Sequence, residues 1–141
     1  MNFFKPSEFS EDIKHADPEL LNDMDKLRAF ARVKIYPSPV PGALARFDIG
    51  TSDSRHYAVN RKSDALDFFT SGDPFEVFTK IIQSGLFKRV GVYFDTYFKG
   101  RKEVMFHVDE KDQHLLWSRV DKKYLYSNNP VFYRNLFKQF F

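Results

Sequence analysis

The chain has 141 residues, of which 43% are hydrophobic and 29% charged, and it contains no cysteine. This length and composition are typical of a single folded domain with its own core, which we expect to span residues 1–141 as a monomer. The net charge of +3, without a run of Lys or Arg, argues against a nucleic-acid-binding protein, and the lack of cysteine excludes disulfides and Cys-ligated zinc.

The sequence also argues against a membrane-spanning segment and against a signal peptide. No apolar stretch is long enough to cross a bilayer, so we expect no stable membrane insertion. The first residues, Met1 to Pro6, lack the apolar segment of a signal peptide. We therefore expect synthesis in the cytoplasm without a signal peptide.

The first half of the chain predicts one helix and one strand. Apolar residues recur at helical spacing over residues 18–31, with Asp17 as the N-cap and Pro18 at the first helical position. Residues 33–36 read as a short strand that two prolines terminate, and residues 37–53 as a loop. Long loops of this kind in compact domains are often functional.

The second half predicts a sheet with two further helices. Strands are expected at 65–69, 90–94, 104–108 and 114–117, with a hairpin turn at Gly100 and Arg101. A helix is expected from Pro74 to about Leu86, with Asp73 as its N-cap, and a last helix begins at Pro130 and packs its aromatic side on the sheet. The sum is a small α+β domain, an antiparallel sheet with helices packed on one side.

Strand periodicity brings polar residues to one face of this sheet. On the strand at 104–108 and its continuation, Met105, His107 and Asp109 share a face, while the alternate positions are apolar and point to a core. On the strand at 65–69, Asp67 faces away from Leu66 and Phe68. A strand with one wholly apolar side and a His-x-Asp side can present ligands to a cleft.

Two histidines and one carboxylate, namely His56, Asp67 and His107, form the ligand set of a catalytic zinc site with one position open. The same set also suits non-haem iron. Asp64 is an alternative to Asp67, but strand alternation turns Asp64 to the opposite face. The remaining histidines, at positions 15 and 114, lie outside these motifs, and as a third imidazole ligand His114 would require a different site.

The sequence motifs around these three residues are more specific than the types of ligand alone. Ser54-Arg55-His56, Ala65-Leu66-Asp67, Phe106-His107-Val108-Asp109 and the downstream Trp117 follow one another in order. The chain thereby resembles the zinc D-alanyl-D-alanine carboxypeptidase family, which includes phage L-alanyl-D-glutamate endolysins and shares its metal fold with the hedgehog signalling domain. The segments Phe4–Phe9 and Asp17–Leu21 are similar to the family's opening segment and first helix, so the resemblance spans most of the chain.

The chain departs from the family pattern at several positions. His56 and Asp67 are eleven positions apart, which implies a short insertion, and Ser63 replaces the usual glycine. Some family members have an acidic residue three positions before the last histidine, where this chain has Val104. The arginine that the family places upstream of Ser-x-His has Arg46 as its nearest candidate.

The resemblance implies a peptidoglycan peptidase, either a carboxypeptidase or an endopeptidase, that binds one zinc per chain and acts on the stem peptide at the cell wall. A single small domain of this kind looks most like a phage or phage-related lysin. Two alternatives stay open: a non-catalytic binding module that retains the metal, and a virion structural or interaction protein.

Hydrolysis by such a site requires a carboxylate that moves the proton of the attacking water. Asp109 and Glu103 are the candidates for this base, and Asp109 is alternatively a residue that orients a histidine ligand. Arg46 or Arg55 is the candidate that binds a substrate carboxylate, since a guanidinium can form two parallel hydrogen bonds to it. Ser54 is not expected to be a nucleophile, because no Ser-His-Asp arrangement is visible.

Overall fold

The computed structural model describes residues 3–141 and contains three α-helices and six strands within that range. Met1 and Asn2, the start of the segment in which we expect no signal peptide, lie outside the described residues. The elements, in chain order, are α1 Pro18–Ala31, β1 Ile35–Pro37, β2 Ala65–Thr70, α2 Pro74–Ser84, β3 Arg89–Phe98, β4 Arg101–Asp109, β5 Leu115–Val120, β6 Lys123–Tyr126 and α3 Phe132–Phe140.

The six strands form one mostly antiparallel sheet in the order β1-β2-β4-β3-β5-β6. The predicted α+β class is therefore confirmed. Two features differ from the prediction: β3 and β5 pair in parallel, and the edge strand β6 was not predicted. The β6 sequence is only four residues long and lies between polar segments, so its alternation gives too short a signal to be recognised.

The predicted capping residues set the helix boundaries. Asp17 caps α1 by accepting a hydrogen bond from the backbone N–H of Glu19, and Asp73 caps α2 through that of Glu76. Helix α2 ends at Ser84 because Gly85 adopts the left-handed conformation, two residues earlier than the sequence predicted. Within residues 3–141 no helix combines the length and apolarity that a membrane-spanning helix needs.

The predicted hairpin connects β3 to β4. Its two turn residues, Lys99 and Gly100, both have positive φ, at 52° and 77°, which is the pattern of a type I′ turn. Further along the hairpin the pairing register shifts between Tyr93 and Thr96, as at a β-bulge. The shift places one extra residue in β3, and a bulge of this kind increases the local twist of the hairpin.

The sheet has one apolar face and one polar face. The apolar face joins buried residues of all three helices in a single core, as the alternation predicted. That core includes, from the sheet, Leu66, Phe68, Val90, Val92, Phe106 and Val108, and from the helices, Leu20, Met24, Leu27, Val77, Phe78, Ile81, Phe132 and Leu136. Helix α3 thus packs on the domain through Phe132 and Leu136, which are both fully buried.

On the opposite face the indole of Trp117 lies directly over Gly91. A Cβ atom at position 91 would be 2.5 Å from both Cε2 and Nε1 of the indole, closer than side chains can approach. Gly91 is also the pairing partner of His107 on β4, and the rings of His107 and Trp117 lie 5.1 Å apart. The missing side chain at position 91 therefore lets the indole lie beside His107.

Replacing Gly91 with alanine is expected to displace this indole. We expect Gly91→Ala to lower the free energy of unfolding by about 1–3 kcal/mol, the usual cost of overpacking, as measured by urea denaturation. Because Trp117 is the chain's single tryptophan, its fluorescence should shift as well. Gly50→Ala is the matched control, since its Cβ would meet no atom closer than 3.7 Å. Equal stability of the two variants would contradict the close contact.

Candidate metal centre

Asp67, His107 and His56 meet on the polar face of the sheet. Asp67 in β2 is the direct pairing partner of His107 in β4, which places both side chains on the same face side by side. His56 comes from the loop between β1 and β2 and completes the group. All three are buried, with 7%, 7% and 2% of their surface exposed, respectively.

One nitrogen or oxygen atom from each residue points to a common position. His107 Nδ1 is 2.9 Å from Asp67 Oδ1 and 3.2 Å from His56 Nε2, and His56 Nε2 is 3.3 Å from Asp67 Oδ1. In a tetrahedral site with bonds of about 2.0–2.1 Å, two ligand atoms lie about 3.3–3.4 Å apart. The three residues are thus close enough together to bind one metal ion.

The hydrogen bonds behind both imidazoles make the inward-facing nitrogens acceptors whenever the rings are neutral. His56 Nδ1 lies 3.3 Å from the carbonyl oxygen of Leu44, and His107 Nε2 lies 2.8 Å from Asp109 Oδ2. Because both oxygens are acceptors, each of these ring nitrogens is assigned as the N–H donor. His56 Nε2 and His107 Nδ1 then face Asp67 as acceptors. Three acceptors that converge in this way are favoured by a positive charge between them, either a proton or a metal ion.

The pKa values of Asp67 and His107 also indicate that the site favours a positive charge. Burial lowers the pKa of His107, but the hydrogen bonds to Asp109 and Asp67 outweigh it and raise that pKa to about 9. Burial raises the pKa of Asp67, but the hydrogen bonds from His107 and His56 outweigh it and hold that pKa well below its usual range. The site therefore stabilises a cation, either a proton on His107 or a metal ion that replaces it.

Asp109 lies behind His107 rather than at the meeting point of the three ligands. Its carboxylate is fully buried, and Oδ2 accepts from His107 Nε2 and, at 3.0 Å, from Arg89 Nε, while Oδ1 accepts from the backbone N–H of Lys111 at 3.1 Å. This is the arrangement in which a carboxylate fixes the ring orientation of a metal-binding histidine. Asp109 is thus brought to the site with both oxygens already occupied.

Glu103 is not brought to the same cleft. Its residue is exposed on β4, where it lines a separate cleft together with Tyr36 and Phe98. Strand periodicity assigns Glu103 to the His107 face, but the register shift between Tyr93 and Thr96 lies between the two positions. The extra residue at this shift lies on β3, so Glu103 keeps its period on β4, and it is separated from His107 by four residues of strand, about 13 Å, which place it in the neighbouring cleft.

The other sequence candidates are accounted for by separate contacts. Asp64 forms an ion pair with Arg55 through both of its carboxylate oxygens, and Arg55 Nε lies 3.0 Å from Asp64 Oδ1. This ion pair engages the Asp64 carboxylate apart from the three ligands. His15 packs its ring on Phe47 at 4.8 Å, and His114 is exposed. Neither His15 nor His114 therefore lies at the candidate metal centre.

Arg46 is brought to the edge of the metal centre. Its Nη2 lies 3.8 Å from Asp67 Oδ2, and its Nε donates to the carbonyl oxygen of Gly42 at 3.1 Å. Its backbone N–H donates to the carbonyl of His56 at 2.8 Å, and its carbonyl accepts from Ala58 at 2.9 Å. The strand-like pairing of this segment with the His56 loop therefore holds Arg46 next to Asp67.

A cavity of about 620 Å³ opens over the metal centre. The three ligands and Arg46 line it, together with polar and aromatic residues that the sequence analysis did not single out. Those additional residues include Asp53, Arg89, Tyr93, Arg119, Tyr124 and Tyr126. The cavity over the candidate metal centre is therefore large enough to hold a small molecule or part of a peptide.

The sequence analysis missed Glu11, which organises the loop behind His56. Its carboxylate accepts hydrogen bonds from the backbone N–H groups of Gly42, Leu44 and Ala45, at 3.0, 3.1 and 2.8 Å. Leu44 in turn offers its carbonyl both to His56 and, at 2.5 Å, to the hydroxyl of Ser63. No local pattern reveals this contact, because more than thirty positions separate Glu11 from the loop.

The charge of Glu11 should matter for stability. Burial raises its pKa, but hydrogen bonds from the backbone of Ala45 and Gly42, from the Ser10 hydroxyl and from Leu44 outweigh it, so the pKa lies below its ordinary value. This stabilisation is fully present above the unfolded-state pKa of about 4.3 and is lost as the pH falls through the lower folded-state pKa.

We expect Glu11→Gln to lower the free energy of unfolding at pH 7 by about 1–2 kcal/mol, because a neutral amide accepts these hydrogen bonds less well. Urea denaturation at pH 7 and at pH 3 should show that the difference from wild type shrinks in acid. Glu103→Gln is the control, and at this exposed position a change within about 0.5 kcal/mol is expected. If the difference in unfolding free energy between wild type and Glu11→Gln were the same at both pH values, the effect would come from the shape of the side chain and not from the charge of Glu11.

Comparison with known proteins gives no relative of this chain. No family model matches it, and neither does any curated protein or solved structure.

Proposed function

We propose that this protein is a zinc-dependent peptidoglycan peptidase that hydrolyses an amide bond of the stem peptide at the cell wall. The observation that carries the proposal is the buried group of His56, Asp67 and His107, whose three donor atoms converge at the wall of an open cavity. The order of the motifs and their resemblance to the zinc D-alanyl-D-alanine carboxypeptidase family support it. The proposed stoichiometry is one zinc ion per chain.

The zinc ion would be bound by His56 Nε2, Asp67 Oδ1 and His107 Nδ1. When bound, zinc lowers the pKa of a coordinated water to about 7 and polarises the scissile carbonyl group. The protein's own contribution begins with Asp109 and Arg89, which fix the His107 ring through the hydrogen bond at Nε2. Leu44 does the same for His56.

A further carboxylate must take a proton from the attacking water and give it to the leaving amine. The contacts of Asp109 support a positioning role, because both of its oxygens already accept hydrogen bonds. Glu103 would have to reach the site from a neighbouring cleft. Asp53, on the loop that carries His56, lines the cavity and is exposed. We therefore add Asp53 to the two candidates from the sequence.

The cavity also contains a cationic group suited to a substrate carboxylate. Arg55, Arg89 and Arg119 line the cavity and each forms an ion pair with an aspartate. Arg46 has only the longer contact of 3.8 Å to Asp67, and 39% of its side chain is exposed. We propose that Arg46 binds a carboxylate of the stem peptide.

Metal content tests the ligand assignment. Protein purified without an affinity tag should contain about one zinc per chain by elemental mass spectrometry, with little iron. We expect His107→Ala to lose stoichiometric zinc while keeping the fold, because the core lies on the other face of the sheet. His114→Ala, at an exposed position, is the control and should retain zinc. Full retention in His107→Ala would refute the assigned site.

Removal of zinc should lower stability without unfolding the protein. The chain has its own apolar core, so the metal adds only the binding energy that favours the folded state. We expect a chelator to reduce the melting temperature by several degrees, measured by calorimetry. Complete unfolding on chelation at room temperature would indicate a structural site instead.

Cleavage of defined muropeptides, followed by mass spectrometry, tests the activity and the base. Replacing the base should reduce kcat by about two to four orders of magnitude at unchanged zinc content. Asp53→Asn, Asp109→Asn and Glu103→Gln are compared for this loss. If Asp109 positions His107, Asp109→Asn should instead weaken zinc affinity by roughly ten- to a hundred-fold, and excess zinc should restore activity.

A metal-containing binding module without activity is the second candidate. It is favoured by Val104 at the position where some members of the similar family have an acid, and by the location of Glu103 outside the cavity. Such a module should bind the muropeptide in calorimetry and leave it intact. A wild-type protein that binds zinc and muropeptides but cleaves none would establish this alternative.

A further inference from the structure

Tyr93 is a buried polar residue of the cavity over the candidate metal centre. It lies on β3, two positions after Gly91, and pairs with Met105 of β4, so it shares the polar face with the neighbouring His107. The residue is 8% exposed and lines the cavity together with the three ligands. Its side chain therefore reaches the cavity from within the sheet.

The hydrogen bonds of the Tyr93 hydroxyl leave its proton unused. Trp117 Nε1, which can only donate, donates to Tyr93 Oη at 2.9 Å. The hydroxyl thus acts as an acceptor toward Trp117, and among residues 3–141 no acceptor lies within hydrogen-bond distance of its own proton. A hydroxyl whose oxygen is fixed and whose proton is free is a hydrogen-bond donor held ready for a ligand.

The surroundings keep this hydroxyl protonated and fixed. Burial raises the pKa of Tyr93, the negative charge of Asp67 raises it further, and the hydrogen bond from Trp117 opposes them only partly. Arg119 lies over the Tyr93 ring, 4.5 Å from its centroid, and Tyr124 packs edge-on against it at 6.2 Å. Trp117 connects the site, because its indole contacts both Tyr93 and the His107 ring.

We propose that the Tyr93 hydroxyl donates a hydrogen bond to the oxygen of the scissile carbonyl and to the oxyanion that replaces it. The inference rests on the proposed hydrolase function. When the water oxygen attacks the carbonyl carbon, the π electrons of the C=O bond move to oxygen. A lone pair of that oxygen then re-forms the C=O bond as the C–N bond breaks, and the electron pair of the C–N bond stays with the nitrogen, which takes the proton released by water. Tyr93 transfers no proton and stabilises only the negative oxygen.

The chemical class of substrate follows from this geometry. A fixed neutral donor near a cationic site recognises a polarised carbonyl that becomes anionic, as in an amide or ester. A phosphinic peptide, which has a tetrahedral anionic centre in place of the amide, mimics that state. It should therefore bind more weakly when the Tyr93 hydroxyl is removed.

Tyr93→Phe tests the inference with two measurements. On a muropeptide that wild type cleaves, we expect kcat to fall about 100- to 1000-fold, the usual loss for one oxyanion donor, with KM and zinc content little changed. The affinity for a phosphinic peptide, measured by calorimetry on zinc-loaded protein, should fall in parallel. Tyr133→Phe, half exposed on α3, is the matched control and should change neither quantity.

The outcomes separate this inference from the proposed function. If wild type and Tyr93→Phe cleave and bind equally, Tyr93 is not the donor, although the protein is still a peptidase. If wild type cleaves no muropeptide, but Tyr93→Phe binds the phosphinic peptide less tightly than wild type does, the donor role of Tyr93 is supported and the assigned substrate is refuted. A wild type that neither cleaves nor binds overturns both.

Loss of the Trp117 partner in Tyr93→Phe can itself disturb the cavity, so a second variant keeps the contact. Site-specific 3-fluorotyrosine at position 93 retains the acceptor for Trp117 and makes the hydroxyl a stronger donor. We expect higher affinity for the phosphinic peptide and unchanged fluorescence of Trp117. If fluorination left the affinity for the phosphinic peptide unchanged, Tyr93 would not donate to the ligand, and its role would be to support the Trp117 indole.

Discussion

The antiparallel pairing of β2 with β4 is the constraint on which the candidate metal centre depends. It sets Asp67 directly opposite His107, so that one carboxylate oxygen and one ring nitrogen lie 2.9 Å apart on the same face. A slip of one residue in this register would turn one of the two side chains into the apolar core. The register is fixed in turn by Phe68 and Phe106, which pair on the other face of the same strands and are fully buried.

His56 reaches this pair from a loop, and a loop needs other means of support. The support comes from polar contacts to its backbone: Glu11 accepts from the segment 42–45, Ser63 donates to Leu44, and Arg46 pairs with the His56 segment. These contacts hold the Leu44 carbonyl in the place where it orients the His56 ring. A rigid sheet and a hydrogen-bonded loop together produce the ligand triangle, as a preorganised site requires.

The aromatic residues around the cavity extend this order beyond the ligands. Gly91 allows the indole of Trp117 to approach the sheet, the indole contacts His107, and its N–H fixes the Tyr93 hydroxyl. Arg89 lies over the same indole at 5.1 Å and bonds to Asp109. The residues that orient His107 and those that shape the cavity are thus in contact, so a substitution at Gly91 should affect both.

The sequence by itself determined the elements with strong local signals and the identity of the convergent residues. Asp17 with Pro18 and Asp73 with Pro74 predicted where two helices begin, and period-two alternation around Asp67 and His107 predicted which side chains share a face. These features depend on neighbouring residues only. The order of the motifs then indicated His56 as the third member of the group.

Tertiary structure decided what depends on distant contacts. The parallel pairing of β3 with β5 follows from the path of the chain after Asp109, and no pattern within either strand encodes it. Glu103 has the same period on β4 as His107, but it lines a neighbouring cleft four residues further along the strand, and only the packed structure shows where one cleft ends and the next begins. The partners of Asp109 Oδ2, which are His107 on its own strand and Arg89 on the neighbouring strand, meet this oxygen only after the sheet has formed. Local periodicity thus determined which face each residue takes, whereas long-range packing decided which atoms meet.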